Sequence, residues 1–401
     1  MEEKRILSVK SSIIYAVGIF GVQIFIGYVN SFQTEFYNKM YSGFDGDIFM
    51  ISAIIILAAK IISCLADPII GALIDKSNLK GGKIRPFILY SAFPLAIMTV
   101  AVFIYIPFEN LAAPAGKILL YSYITVTTVL WNVAMSFADI PSQGMLSLLS
   151  PNAKERNIAA SLSNIGKSVA LAAPGLFVTV VMVILGAIKG EGGYPDSLYY
   201  IVTALVFFVL GTAFYLLIYF FNKETVKSTG KSTVKMKEMF VELKHNKMIL
   251  IMFLICMLGF ARAMGIIVCI QANGALVGKV QLFGATLDTT SNATWLPGLL
   301  GGLSGMVGIC IIPLVNNRLG EKKTYVLFSV LTFVLSTACC IFYWCLPRGS
   351  MLRYGNPALY MIMAMQFILA FTLCANTYIP LVMTADIVDY REWKTGERKE
   401  G

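Results

Sequence analysis

Ten long apolar runs constrain this chain more than any other feature. They fall at roughly 11–34, 47–74, 86–107, 118–149, 157–187, 197–221, 248–278, 294–316, 324–346 and 357–388. About 20 predominantly apolar residues cross a bilayer as a helix. Several of these runs pass thirty, which predicts tilt or extension beyond the membrane. Of the 401 residues, 57% are hydrophobic and 13% charged, whereas a soluble domain is about a quarter charged. A single buried core of this composition would have too little polar surface to cover it. The expected fold class is therefore all-α and polytopic, with lipid as the solvent. The first run follows MEEKRILSVK, as a signal peptide would. It is too long for one and has no small-residue cleavage site, so it reads as a retained span.

Charge orients the spans. With the N-terminus inside, 23 of the 32 Lys and Arg fall in inside segments, six in outside loops and three within spans. That asymmetry follows the positive-inside rule. It places both ends of the chain in the cytoplasm and the spans in the plasma (cytoplasmic) membrane. The net charge of +10 then needs no nucleic acid to explain it. The longest inside segment, 222–247, is rich in Lys, Ser and Thr. It divides the chain into an N-terminal six-helix bundle at 1–221 and a C-terminal bundle at 248–401 with four helices. A weak repeat supports two halves. Asp67 begins DPIIGALIDKSNLKGGKIRPFIL, and Ile312 begins IPLVNNRLGEKKTYVL. Both run apolar helix, polar turn, basic cluster, next helix, as internal repeats of a transporter do.

The eight cysteines lie in apolar runs without metal-ligand spacing, and the single His245 lies in a polar loop. Multi-His metal sites are excluded, and a Ser-His-Asp triad has no support. The informative residues are polar ones at membrane depth, which are functional candidates by default. Three helices carry them at the 4-3-4 spacing of one face. These are Gln23, Gly27, Asn30 and Thr34; Asn132, Ser136, Asp139 and Gln143; and Asn157, Ser161, Asn164 and Ser168 with Lys167 alongside. A fourth puts Lys60, Ser63 and Asp67 on one face, followed by Pro68 and Gly71. Four such faces predict a shared water-filled cavity, against interhelical hydrogen bonding as the bland alternative. Asp67 and Asp139 are the sharpest residues. A buried carboxylate must bind a cation, pair with Lys or Arg, or take up a proton. A fixed pair from Lys60 to either Asp is the structural alternative. Arg262, mid-span, suits an anionic substrate group or an ion pair. Asp386 and Asp389 read as part of a cytoplasmic charge network.

The segment D-P-I-I-G-x-x-I-D-K…K-G-G-K-I-R-P from Asp67 to Pro86 resembles the glycoside–pentoside–hexuronide cation symporter family. This is the melibiose-permease-like branch of the major facilitator superfamily. Asp139-Ile140-Pro141, the loop at Lys154-Glu155-Arg156, the run Ala385 to Tyr390 and the glycines Gly18, Gly21 and Gly27 agree, in order along the chain. The resemblance implies twelve helices in two pseudo-symmetric bundles, alternating access, and a central site where cation and sugar share acidic groups. It assigns Asp67 and Ser136 to the cation and Asp139 to sugar hydroxyls; together with the polar faces read above, the candidate cation set is Asp67, Ser63, Ser136 and Asp139, and the candidate substrate set is Gln23, Asn30, Asp139, Gln143, Asn164 and Arg262. It implies no cofactor or catalytic residue, a coupling ion that is Na+ or H+, no metal beyond Na+ at Asp67, and a monomer in the bilayer.

Several positions depart from the family pattern. A second helix-two aspartate is Ser63, an asparagine is Ala66, a helix-one aspartate is Gln23, a helix-four tryptophan is Gln143 and a helix-five arginine is Asn164. The lost carboxylate makes proton coupling as reasonable as sodium. The amides with Arg262 leave room for an acidic glycoside. Relatives continue past the last polar turn into two more helices, so ten of an expected twelve are present. The expected function is cation-coupled symport of a sugar or glycoside. The alternatives are carriage of an amphiphilic or lipid-like solute, a non-transporting sensor, and a membrane-embedded transferase holding magnesium at Asp386 and Asp389.

Overall fold

The computed structural model describes residues 7–77, 82, 84–150, 152–189 and 196–225, a helix at 321–345, two short strands, and single positions within 250–254, 304–320 and 361–379. The chain forms two compact units, Met1–Val234 and Lys235–Gly401.

The first unit holds six helices: α1 Val9–Tyr41, α2 Ile48–Lys76, α3 Arg85–Val102, α4 Ala113–Leu149, α5 Ala153–Lys189 and α6 Asp196–Phe221. Each covers one apolar run. Among the described residues, α1, α2, α3, α4 and α6 contain segments long and apolar enough to cross a membrane. The third run, expected to reach 107, leaves the helix after Val102. The reason is tertiary. The Tyr41 hydroxyl donates to the Ile106 carbonyl at 3.0 Å and accepts from the Ile106 N–H at 3.1 Å. This ties the chain to the end of α1 in a non-helical path.

Helix ends are held by side chains. Ser8 caps α1 by accepting from Ser11 N–H at 3.1 Å. The start of α3 is capped from a distance, because Glu224 accepts from Ile84 and Arg85 N–H at 2.8 and 2.9 Å. A carboxylate there satisfies orphan donors and opposes the helix dipole.

Lipid gives helices no hydrophobic reason to associate, so small residues and close packing must do it. In this unit α1 packs on α5 and α6, α2 on α4, and α3 on α4 and α6. Glycines allow the α1 contacts. A Cβ at Gly21 would stand 2.5 Å from Tyr215 N and 2.7 Å from Gly211 O. A Cβ at Gly166 would stand 2.7 Å from Ala16 O. Beyond the glycines, buried rings fill the space: Phe103 lies 4.4 Å from Tyr28 and stacks on Tyr200 at an interplanar angle of 3°.

The second unit shows helix α7, Glu321–Cys345, and a short antiparallel ladder of β1 Val280–Leu282 with β2 Ala285–Leu287. The ladder lies in a segment expected to be an outside loop and is the departure from helix among the regular elements of the described residues. The ninth apolar run is α7. The seventh, eighth and tenth fall mostly outside the described residues.

Candidate functional site

A cavity of about 290 Å³ opens between α1, α2 and α4. From α1 it takes Asn30; from α2, Lys60, Ser63, Cys64 and Asp67; and from α4, Asn132, Ser136 and Asp139 among polar groups, with Trp131, Met135 and Ile140 as its apolar wall. The polar stripes read on α2 and α4 therefore meet here. All four residues assigned to a cation line this one space.

The local chain explains their positions. Ser63 and Asp67 are four residues apart on α2, one turn on the same face. Pro68 follows, which removes a backbone donor and frees the carbonyl one turn earlier. On α4, Pro141 does the same beside Asp139. Nearby α4 carbonyls are taken up by side chains: Ala138 O by the Tyr215 hydroxyl at 3.0 Å, Asp139 O by Ser142 Oγ at 2.8 Å and Ser142 O by the Tyr15 hydroxyl at 2.9 Å. Re-satisfaction of this kind is what lets proline sit within a membrane helix.

The hydroxyls of Ser63 and Ser136 lie 2.8 Å apart across the α2–α4 contact, and Ser63 Oγ also reaches the Asn132 carbonyl at 3.3 Å. Ser63 donating to that carbonyl leaves Ser136 donating to Ser63. The remaining lone pairs are then oxygen ligands of neutral charge. One turn away, Asp67 Oδ1 is buried without any hydrogen-bond partner. No ion pair to Asp67 occurs among the described residues, so the fixed Lys60 pair is not made.

Asp139 is the opposite case. Its Oδ1 accepts from Gln23 Nε2 at 3.0 Å and its Oδ2 from Gln143 Nε2 at 2.5 Å. Gln23 and Gln143, expected to touch substrate, instead hold this carboxylate and are not cavity lining. Lys167 on α5 is close enough to act on Asp139 through its charge, as is Asp67. Asn164, also expected in the site, does not line the cavity. Its helix approaches α1 closely at Gly166, and among the described residues α5 contributes no wall residue. Arg262, Asp386 and Asp389 lie outside the described residues.

Trp131 was not foreseen. It is buried, and its indole N–H donates to Thr99 Oγ1 at 3.0 Å, fixing the ring against the cavity from the α3 side. Its place one residue before Asn132 in the α4 stripe is the only sequence signal that pointed to it.

The arrangement offers an oxygen-rich pocket with one open carboxylate oxygen, a second carboxylate already hydrogen-bonded, an ammonium and an aromatic wall. The protein family described as MFS/sugar transport protein matches residues 14–401. The isoprimeverose transporter of Lactiplantibacillus pentosus is 24% identical over 396 residues, covering 96% of this chain and 73% of the relative. A putative glycoside/cation symporter of Escherichia coli, YagG, is 26% identical over 371 residues, covering 88% and 70%. Among solved structures, the fucose:proton symporter of Escherichia coli superposes with a TM-score of 0.53 over 98% of this chain and 94% of that one. Its 11% identity speaks for the fold alone.

Proposed function

The chain belongs to the MFS/sugar transport protein family of multi-pass membrane transporters, and from that premise we propose that it carries a sugar or glycoside together with Na+ or H+ by alternating access. The observation that supports the coupling most is the buried, unpartnered Asp67 Oδ1. A carboxylate buried without a partner is costly unless a cation or proton joins it. Ser63 and Ser136 stand beside it as neutral oxygen ligands, and Asp139 shares the cavity. Asp67 is the coupling carboxylate in this reading. Asp139, pre-oriented by its two amides, receives sugar hydroxyls, and Asn30 offers a further amide. Trp131 adds an aromatic side chain to the lining, a residue type that packs on apolar surfaces such as those of a sugar ring.

The charge asymmetry supports a reading in which the α3 start and the α6 exit lie at the inner face of the plasma membrane and both ends of the chain are cytoplasmic. The segment 222–247 is then an inside linker between two bundles. The family match supports transport over transferase chemistry.

The reading is tested with the protein in proteoliposomes. Uptake of labelled glycosides is followed under an imposed Na+ gradient and, separately, an imposed pH gradient. Concentrative uptake under one of them supports symport and names the ion. Equal, purely downhill entry under every gradient would sink the coupling.

A further inference from the structure

The coupling site leaves one charge in the cavity unused. Lys60 lines the same α2 wall as Ser63, Cys64 and Asp67. No ion pair or hydrogen bond reaches its ammonium among the described residues; Lys117 instead pairs with Asp45, at the α1–α2 turn. The acidic groups facing the cavity are Asp67 and Asp139. Asp139 is occupied by Gln23 and Gln143. Asp67 is seven residues along α2, and at 1.5 Å of rise per residue that is about 10 Å. The two groups of this wall, one cationic and one anionic, make no ion pair with each other among the described residues.

We propose that Lys60 is the specificity residue of the site, receiving the carboxylate or sulfonate of an acidic glycoside while Asp67 holds the coupling ion. This rests on the sugar-symporter reading of the same cavity. Both groups line one cavity, which suits a ligand whose negative group meets Lys60 while a cation rests at Asp67. The volume of about 290 Å³ lies at the small end of ligand pockets. A lysine ammonium is a compact point charge with three donors, so it accepts either acid. Discrimination arises when the cavity closes. A neutral sugar would leave the ammonium enclosed without a counter-charge, and an enclosed unpaired charge opposes closure. An anionic sugar supplies the missing partner.

The test compares counterflow of methyl β-D-glucuronide and methyl β-D-glucoside in proteoliposomes carrying the wild-type protein, K60Q or K60R. The wild type is expected to prefer the glucuronide by about tenfold or more, a ratio within reach of one buried polar contact. K60Q loses that preference through a fall in glucuronide alone, and K60R keeps it. An unchanged ratio in K60Q overturns the inference. A wild type that moves glucoside and not glucuronide also overturns it and leaves the symporter reading standing. A wild type that moves neither sugar overturns both. Should K60Q fail to insert, the wild type still decides. Cys64 lines the same wall, and its alkylation by N-ethylmaleimide is read by peptide mass. Protection at about tenfold lower glucuronide than glucoside is expected. Equal protection by the two sugars refutes the assignment.

Discussion

Gly21→Ala and Gly71→Ala should move stability in opposite directions. At Gly21 an added Cβ meets Tyr215 N at 2.5 Å, Gly211 O at 2.7 Å and Phe214 Cβ at 2.8 Å. Two of these three are backbone atoms, which cannot swing aside. Helix α1 must therefore separate from α6 by roughly half an ångström to an ångström, since ordinary carbon contacts begin near 3.5 Å. Overpacking of this kind costs about 1–3 kcal/mol. At Gly71, in α2, nothing lies within 4 Å of the added Cβ. There the helix propensity of alanine dominates, a gain of up to about 1 kcal/mol. For a unit of this size each kcal/mol is worth roughly 2–4 °C. Thermal unfolding of the detergent-solubilised variants should show Gly21→Ala melting about 2–12 °C lower, and Gly71→Ala unchanged or slightly higher. The first also displaces Gln23, two residues on, from Asp139, so sugar affinity should fall with stability. Equal melting of the two variants would refute the claim that backbone contact between α1 and α6 sets the geometry of the site.

Three further outcomes follow from single contacts. Asp45, in the turn between α1 and α2, is buried. It accepts from the Tyr121 hydroxyl and from Lys117 at 3.2 Å, and these hold its carboxyl below the usual range, the tyrosine contributing most. A depressed carboxyl stabilises fully above its unfolded value of about 3.9 and loses that contribution as pH falls through the folded value. Asp45→Asn should lower the melting temperature at pH 7, by an equivalent of about 1–3 kcal/mol, and flatten its decline below pH 4; an unchanged acid profile would count against the ion pair. Gln23→Leu removes a buried donor between α1 and α4 and should cost about 1.5–3 kcal/mol. Gln143→Leu removes an exposed donor within α4 and should cost less than about 1 kcal/mol; melting curves of the pair check the order.

The spans were legible because lipid leaves a coarse mark, about twenty apolar residues at a time. Their ends were not. The departure of the chain at Val102 depends on Tyr41, sixty residues earlier in sequence, and no local pattern encodes that tie. The faces of α2 and α4 were legible from their 4-3-4 spacing, because a helix fixes which side chains share a side. Which neighbour each face meets was not. The α5 stripe looks as good as the α4 stripe, yet Gly166 brings that helix against α1 and Asn164 stays off the cavity wall. Gln23 and Gln143 sit at the expected positions but serve Asp139 instead of lining the space. Spacing along a helix does not tell a residue that lines the cavity from one that holds its carboxylate.

The central claim is that Asp67 carries the coupling ion, and the most direct test is Asp67→Asn in proteoliposomes. Two quantities are measured for the same labelled glycoside: accumulation driven by the ion gradient that serves the wild type, and counterflow exchange without any gradient. The account predicts that accumulation disappears, because the amide neither binds the cation nor takes the proton, while exchange through the intact Asp139 and Trp131 wall persists. A variant that still concentrates the sugar against its gradient would contradict it.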